Sequence, residues 1–302
     1  MTNPWTPEIE LSFQEASELI GKQFSQLNPI HISFLGLGFD NTVFKVNNQY
    51  IFRFPRRSIA VDLLKTENQL LPHLSQNLNL PIPTPIFFGR PSSTYPWPFT
   101  GYQAVNGETP YQLTEEIRLL SVESMAKFLR TLHQFPIDTA KNLHVPNDQL
   151  NRLSIPIRRK KLEENVNKAV ADGLIKNKKV IGNYLKRLKN VEVNQELALV
   201  HGDIHFKNLL VDNNGLITGV IDWGDVHIGH RAVDLSIVYS FFPPAGRKRF
   251  FEIYGNVDEI TMYLARFKAI FTSIMLVRFA HDQNDQEAFD AAGQALDMAL
   301  AD

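Results

Sequence analysis

His201-Gly202-Asp203-Ile204-His205-Phe206-Lys207-Asn208, followed by Ile221-Asp222-Trp223-Gly224, sets three oxygen-bearing side chains at a spacing with chemical meaning. Asn208 stands five positions after Asp203, and Asp222 another fourteen on. A phosphoryl group in transfer spreads negative charge over its outer oxygens, so catalysis there is mostly positioning and electrostatic stabilisation. Magnesium takes hard oxygen ligands, with one or two from the protein and the rest from phosphates and water. Asn208 and Asp222 suit that metal. Asp203, not needed as a ligand, is the candidate to orient an acceptor hydroxyl and take its proton.

The surrounding pattern supports this arrangement. An apolar run, Ala198 to Val200, enters the motif, and Leu209-Leu210-Val211, Asp212-Asn213-Asn214-Gly215, Leu216 to Ile221 read as strand, turn, strand. Such a hairpin carries Asn208 at one end and Asp222 at the other and brings them to one point. Two other readings stay open on these residues alone. Asn and Asp also serve as plain turn formers, and the alternation His201, Asp203, His205 with Asp222, His227 and His230 is a donor set that zinc accepts.

Upstream, Leu35-Gly36-Leu37-Gly38-Phe39-Asp40-Asn41-Thr42 lies between two apolar segments, as a loop joining two strands does. Gly36 and Gly38 let backbone approach phosphates, and Asn41 and Thr42 offer side-chain hydrogen bonds. Without a ligand the same stretch is an ordinary hairpin turn. Asn47-Asn48-Gln49 is a turn, and Tyr50 to Pro55 alternates as a strand on which Arg53 points opposite to Phe52 and Phe54. A cation at that position needs an anionic partner. Glu67, on the helical pattern Val61, Leu64, Leu70, Leu71, Leu74, is the candidate, and the pair would also reach nucleotide phosphates.

With both halves in view, the chain resembles the aminoglycoside phosphotransferase family of small-molecule kinases, nearest to its 2''-aminoglycoside and macrolide branches. The resemblance rests on Gly38 to Phe44 with Phe52-Arg53-Phe54-Pro55-Arg56, on Glu67 to Leu71 with Pro81-Ile82-Pro83-Thr84-Pro85, and on His201 to Asn208 with Ile221 to Asp225. It spans about residues 30–240. Arg53 stands where many members have Lys; it is always charged and grips phosphate as a fork. The resemblance implies an α+β, two-lobed protein-kinase-like fold with a small, mainly antiparallel β N-terminal lobe and a larger, mainly helical C-terminal lobe. It divides the chain into a nucleotide-binding lobe at 1–102, a connection at 103–108 and a catalytic, substrate-binding lobe at 109–302 with a helical insertion around 150–190. It further implies backbone contacts to a purine at Gln103 and Val105, Mg2+ with ATP or GTP as donor, and a small-molecule hydroxyl acceptor. An aminoglycoside-like or other antibiotic leads as acceptor; a metabolite kinase of choline, homoserine or thioribose type and a non-catalytic nucleotide-binding pseudokinase are the alternatives. His201, His205 and Asp234 fall into roles supporting the catalytic loop, and Asp225 is a possible substrate contact.

The 302 residues suffice for two lobes, and 44% apolar content is ordinary for a globular chain. The absence of cysteine removes disulfides, thiol nucleophiles and thiolate metal sites and fits a reducing compartment. With no secretory-type N-terminus and no apolar run approaching about 18 residues, the expectation is a cytoplasmic protein with no membrane partner. Nothing in the pattern dictates an oligomeric state.

Ser12-x-x-Glu15 before Ala16, Leu19, Ile20 and Phe24 predicts a capped amphipathic helix. Ile117, Leu120, Met125, Phe128, Leu129 and Leu132 predict another, stopped by Phe135-Pro136. Tyr263, Phe267, Phe271 and Met275 mark a core stripe on the first of two closing helices, about 258–281 and 285–300. From Arg152 to Lys189 there are 12 Lys or Arg against three acids, in a chain of net charge −1. Without interleaved aromatics this reads as a solvated helical insertion and not as a nucleic-acid surface. It also bears on substrate, because a polycation needs carboxylates in its pocket. The acids Asp285, Glu287, Asp290 and Asp297 of the last segment would supply them if the closing helices face the acceptor; otherwise a neutral or anionic alcohol fits better.

Overall fold

A computed structural model describes residues 7–37, 40–193 and 196–301. The chain divides into two compact units, the first 1–77 with 81–105, the second 78–80 with 106–302. In the second unit, the Asn79 amide donates to Ser124 O at 3.0 Å.

In the first unit, helix α1 (Phe13–Gln23) precedes strands β1 (Ile32–Leu37), β2 (Asn41–Val46) and β3 (Tyr50–Pro55), helix α2 (Ser58–Leu74), and strands β4 (Thr84–Gly89) and β5 (Phe99–Gln103). The five strands form one sheet in the order β1-β2-β3-β5-β4, antiparallel throughout. The β2–β3 turn is tight because Asn47 and Asn48 take φ of 50° and 55°, a left-handed pair that short polar residues tolerate. Period-two alternation sends Phe44, Phe52 and Phe54 to one face, where they meet Phe87, Tyr95, Phe99 and the α1 residues Ala16, Leu19 and Ile20. Phe54 stacks on Phe99 with centroids 4.4 Å apart. The capping box of α1 forms as expected, with Glu15 N donating to Ser12 Oγ at 3.2 Å and Ser12 N to Glu15 Oε2 at 2.9 Å.

The second unit is mainly helical. It comprises α3 (Glu115–Leu120), α4 (Val122–His133), α5 (Ile137–Asn142), α6 (Ile155–Ala171) and α7 (Lys178–Arg187). Strands β6 (Leu197–Val200), β7 (Leu209–Val211), β8 (Ile217–Val220) and β9 (His227–His230) follow, then α8 (Ala232–Ser240), α9 (Pro244–Tyr254), α10 (Glu259–Asp282) and α11 (Gln286–Leu300). β6 pairs with β9 and β7 with β8, each antiparallel. Every residue of α8 is buried, and α10 packs against α8, α11 and α6.

Two expectations need correction. The helix expected from Ile117 to Leu132 is two, broken at Ser121, and Leu120 is 65% exposed. Buried Arg118 reaches Leu113 O, Phe241 O and Gln294 Oε1, which turns the chain before α4 begins. On α10, Phe267 is fully buried while Tyr263, Phe271 and Met275 are only partly so; the fully buried stripe runs through Leu264, Ile270, Ile274 and Val277. α10 is also apolar enough by composition to cross a membrane, with mean hydropathy 1.5 over an 18-residue window, half of it buried in the unit.

Candidate active site

The β7–β8 hairpin does what its sequence implies. Asp212 Oδ1 accepts from Asn214 N and Leu216 N, both at 2.9 Å, and Gly215 closes the turn at φ 77°. At the open end, Ile221 N donates to Asn208 O at 2.9 Å, so the residue before Asp222 is hydrogen-bonded to the residue that carries the other candidate ligand. Asn208 Nδ2 donates to Asp203 O at 2.8 Å. That bond spends the amide nitrogen inside the 201–208 loop and leaves Oδ1 as the candidate ligand atom. Asp222 holds φ at 65°, a conformation uncommon for a non-glycine residue and found where a local constraint demands it.

Asp234 organises the loop from below. It lies in the wholly buried helix α8, where a carboxylate requires partners. Its Oδ2 accepts from His201 N at 2.7 Å and its Oδ1 from Gly202 N at 2.9 Å. His133 Nε2 adds a contact at 3.2 Å, and His133 Nδ1 lies 2.7 Å from Tyr254 Oη, an arrangement in which Tyr254 donates to His133 and His133 to Asp234. Burial pushes the Asp234 carboxyl up, but the His133 and backbone hydrogen bonds and the nearby His201 outweigh it and hold it below the usual range. Gly202 runs at φ 92°, and a Cβ there would come within 2.1 Å of Asp225 O.

His201 joins the loop to the Asp222 turn. Its Nε2 donates to Ile221 O at 3.0 Å and its ring lies 4.7 Å from that of Trp223. His205 Nε2 is 3.3 Å from Asp203 Oδ2, and its buried Nδ1 has no partner among the described residues. Asp203 itself is 37% exposed, and Lys268 from α10 places its ammonium 3.9 Å from Oδ1. Desolvation pushes the Asp203 carboxyl up, yet His205, Lys268 and His201 together pull it well below the ordinary carboxylate range. Asp225 is ion-paired to Arg152, whose other nitrogen bonds Asp148 at 2.7 Å. Asp225, expected as a possible substrate contact, keeps its side chain 49% exposed beside that cation.

Lys268 and Arg152, with His133 and Tyr254 behind Asp234, are residues at this site that sequence reasoning missed. The only signal for Arg152 was its place at the start of the basic stretch, and Lys268 sat unremarked in an apolar helix. The zinc alternative does not assemble, since among the described residues no three His, Asp or Glu side chains are placed to hold a metal ion. His201 and His227 instead donate to the carbonyls of Ile221 and Asp225.

In the first unit, Arg53 Nη1 binds Glu67 Oε2 at 2.8 Å, with side chains 16% and 2% exposed. Tyr102 Oη also reaches Glu67 Oε2 at 3.4 Å. Arg53 pairs in register with Val43 and Thr100, so Asn41, Val43 and Arg53 share one face. Thr42 lies on the other, buried beside Phe44 and Val46, which corrects the expected ligand-facing hydroxyl by the same period-two rule. Asn41 Oδ1 is buried without a hydrogen-bond partner among the described residues. Gly36 sits at the β1 bulge, where a Cβ would meet nothing within 4 Å; Gly38 lies outside the described residues. Gln103 ends β5, and Ala104 N, between Gln103 and Val105, is taken by Gln49 O at 2.8 Å.

A five-stranded antiparallel unit with a strand-borne guanidinium paired to a helix-borne glutamate, and a helical unit carrying an Asp–Asn loop and an Asp turn, define a kinase-like phosphotransferase. Residues 31–267 match the phosphotransferase enzyme family, and the chain belongs to it. An aminoglycoside 3'-phosphotransferase of Escherichia coli is 29% identical over 199 residues, 62% of this chain and 68% of that protein. The GDP complex of aminoglycoside 2'-phosphotransferase-IIIa superposes with a TM-score of 0.67 at 24% identity, covering 96% of this chain and 99% of the other. Macrolide 2'-phosphotransferase type I gives 0.57 at 20% identity over 95% and 98%. At these identities the two structures establish the shared fold.

Proposed function

We propose that this enzyme transfers the γ-phosphoryl group of ATP or GTP to a hydroxyl of a small molecule in the presence of Mg2+. The observation that carries the reading is the arrangement of Asp203 on the loop entering the β7–β8 hairpin with Asn208 and the Asp222 turn at the hairpin's open end, Asn208 being turned by its bond to Asp203 O. The oxygen donors of Asn208 and Asp222 suit a hard cation, and two protein ligands are what magnesium beside a nucleotide ordinarily takes. When bound, the ion supplies charge neutralisation to the phosphates. GDP in a structural neighbour supports a nucleotide donor.

The acceptor oxygen forms a bond to the γ-phosphorus as the bond to the bridging oxygen breaks, and the nucleoside diphosphate leaves. The hydroxyl proton passes to Asp203. A carboxylate held so far below its usual range is a weak base, so its work is chiefly to orient the hydroxyl and accept the proton late, in keeping with a loose transition state. His205 keeps the Asp203 carboxylate aimed, and Asp234 holds the backbone beneath it. In the first unit, Arg53, positioned by Glu67, serves as a fork for phosphate oxygens, the strand around Gly36 and Asn41 as phosphate cover, and the backbone near Gln103 and Val105 as the contact for the base.

The relatives' names put aminoglycosides and macrolides on the acceptor panel. The test is diphosphate release with ATP and with GTP in magnesium across that panel and a set of small alcohols, for wild type, Asp203→Ala and Asp222→Ala. Asp203→Ala should keep nucleotide affinity and lose about 10² to 10⁴ in turnover, the usual range for a general base. Asp222→Ala should lose magnesium-dependent nucleotide binding. Turnover by Asp203→Ala within a few-fold of wild type would refute the assignment.

A further inference from the structure

Lys268 projects from the middle of α10, with its side chain 12% exposed and its ammonium 3.9 Å from Asp203 Oδ1. An ammonium has three donors and no acceptor, and burying one without hydrogen bonds is costly. Among the described residues Lys268 makes no hydrogen bond; Asp203, at ion-pair range, is its one close anion. Burial pulls the Lys268 pKa down, Asp203 draws it back up and Arg152 lowers it again, with the balance below the ordinary lysine value. The cation therefore stands beside the hydroxyl-binding carboxylate with donors to spare.

Arg152 takes the next carboxylates out of play. Segment 146–152 is docked on β9, with Ile228 N donating to Pro146 O at 2.7 Å and Asp148 N to Ile228 O at 3.1 Å. That docking seats Arg152 between Asp148 and Asp225, and Asp225 O lies against Gly202, the neighbour of Asp203. The acids at the start of α11 are engaged too. Asp285 caps the helix at 3.0 Å and lies 3.8 Å from Lys207, while Glu287 and Asp290 accept only from the neutral amides of Gln112 at 3.4 Å and Gln286 at 3.1 Å. A polyamine sugar needs carboxylates in excess of cations, because each ammonium must be met by an anion. Nearest Asp203, then, Asp225 is countered by Arg152 and Asp285 by Lys207, while the Lys268 ammonium has an ion-pair neighbour but no hydrogen bond among the described residues.

Taking Asp203 as the residue that meets the acceptor hydroxyl, we propose that the acceptor is an alcohol bearing a carboxylate or phosphate close to that hydroxyl. Lys268 binds the anionic group and Arg152 keeps Asp225 from repelling it. Lys268 is thus a specificity-determining residue, and the substrate class is that of an acidic metabolite and not of a polycationic antibiotic.

The test uses the full chain with nucleotide and magnesium. Nucleotide hydrolysis by water is recorded first, since its absence together with absent nucleotide binding would count against phosphoryl transfer itself and not against the acceptor class. Glycerate, gluconate and glycerol 3-phosphate are then compared with kanamycin for the concentration at which each changes diphosphate release by half its full effect. The expected order is an anion acting at lower concentration than kanamycin. Lys268→Met should raise that anion's half-effect concentration by about tenfold or more, the size of one charge-assisted contact, and Lys268→Arg by less. An ineffective anion set, or kanamycin acting at lower concentration, overturns the proposal. So does Lys268→Met lowering hydrolysis by water as strongly as acceptor-dependent turnover, because the ammonium would then serve the transferring phosphoryl group.

Discussion

Replacing Asp234 by Asn changes one buried atom from acceptor to donor, and the structure says what that costs. The carboxylate accepts His201 N at 2.7 Å and Gly202 N at 2.9 Å and faces His133 Nε2 at 3.2 Å. The amide oxygen does best at the Oδ2 position, where it keeps His201 and His133. Its NH2 then faces the Gly202 N–H, donor against donor. One charge-assisted hydrogen bond is lost, about 1.5–3 kcal/mol, and a buried N–H goes unsatisfied for about 1–3 kcal/mol. Relief from burying a charge offsets part of this, so the net loss should be about 3 kcal/mol, inside the range for breaking a buried polar network. Because Gly202 carries the backbone into Asp203, turnover should fall as well, by about 10²-fold if the same energy is lost from the transition state. Urea unfolding followed by fluorescence of Trp223, buried beside His201, in a background with Trp5→Phe and Trp97→Phe, reads the stability of this unit. A loss under about 1 kcal/mol, with turnover within a few-fold of wild type, would show that the clamp does not hold the loop.

Gly202→Ala should be at least as severe. A Cβ would lie 2.1 Å from Asp225 O on a backbone at φ 92°, and left-handed strain plus overpacking sum to about 3 kcal/mol; an urea midpoint indistinguishable from wild type would contradict this geometry. Stability should also rise with pH across the histidine range. His227 is held below its ordinary value by burial and then by Arg152, and His230 by burial and then by Arg231. The unfolded imidazoles take up protons near pH ~6.5 while the folded ones wait for lower pH, so the unfolded state binds more protons in that window. Acidification from neutrality should therefore lower the urea midpoint, and His227→Gln should flatten the slope; a midpoint that climbs on acidification has the wrong sign. Asp234, with its depressed carboxyl, adds a second loss of the same direction in the acid range below the unfolded carboxylate value.

Much of the site was legible in the chain because its parts are local. Asp203, Asn208 and Asp222 are joined by one loop and one hairpin, and the turn residues Asp212 and Gly215 dictate how that hairpin closes. Arg53 and Glu67 could be paired in advance because strand alternation and helix periodicity each expose a charge that needs a partner. The same alternation, applied one residue earlier, would have turned Thr42 inward, so that error lay in the reading and not in the signal.

What the sequence by itself determined is the identity and order of the candidate groups, since spacing within a strand, turn or helix is a property of contiguous residues. Tertiary structure alone decided which cations stand among them. Lys268 reaches Asp203 across 65 positions and Arg152 reaches Asp225 across 73, through the packing of α10 and the docking of 146–152 on β9. No periodicity encodes such encounters, because they depend on how whole elements pack, and it is these encounters that set the charge beside Asp203.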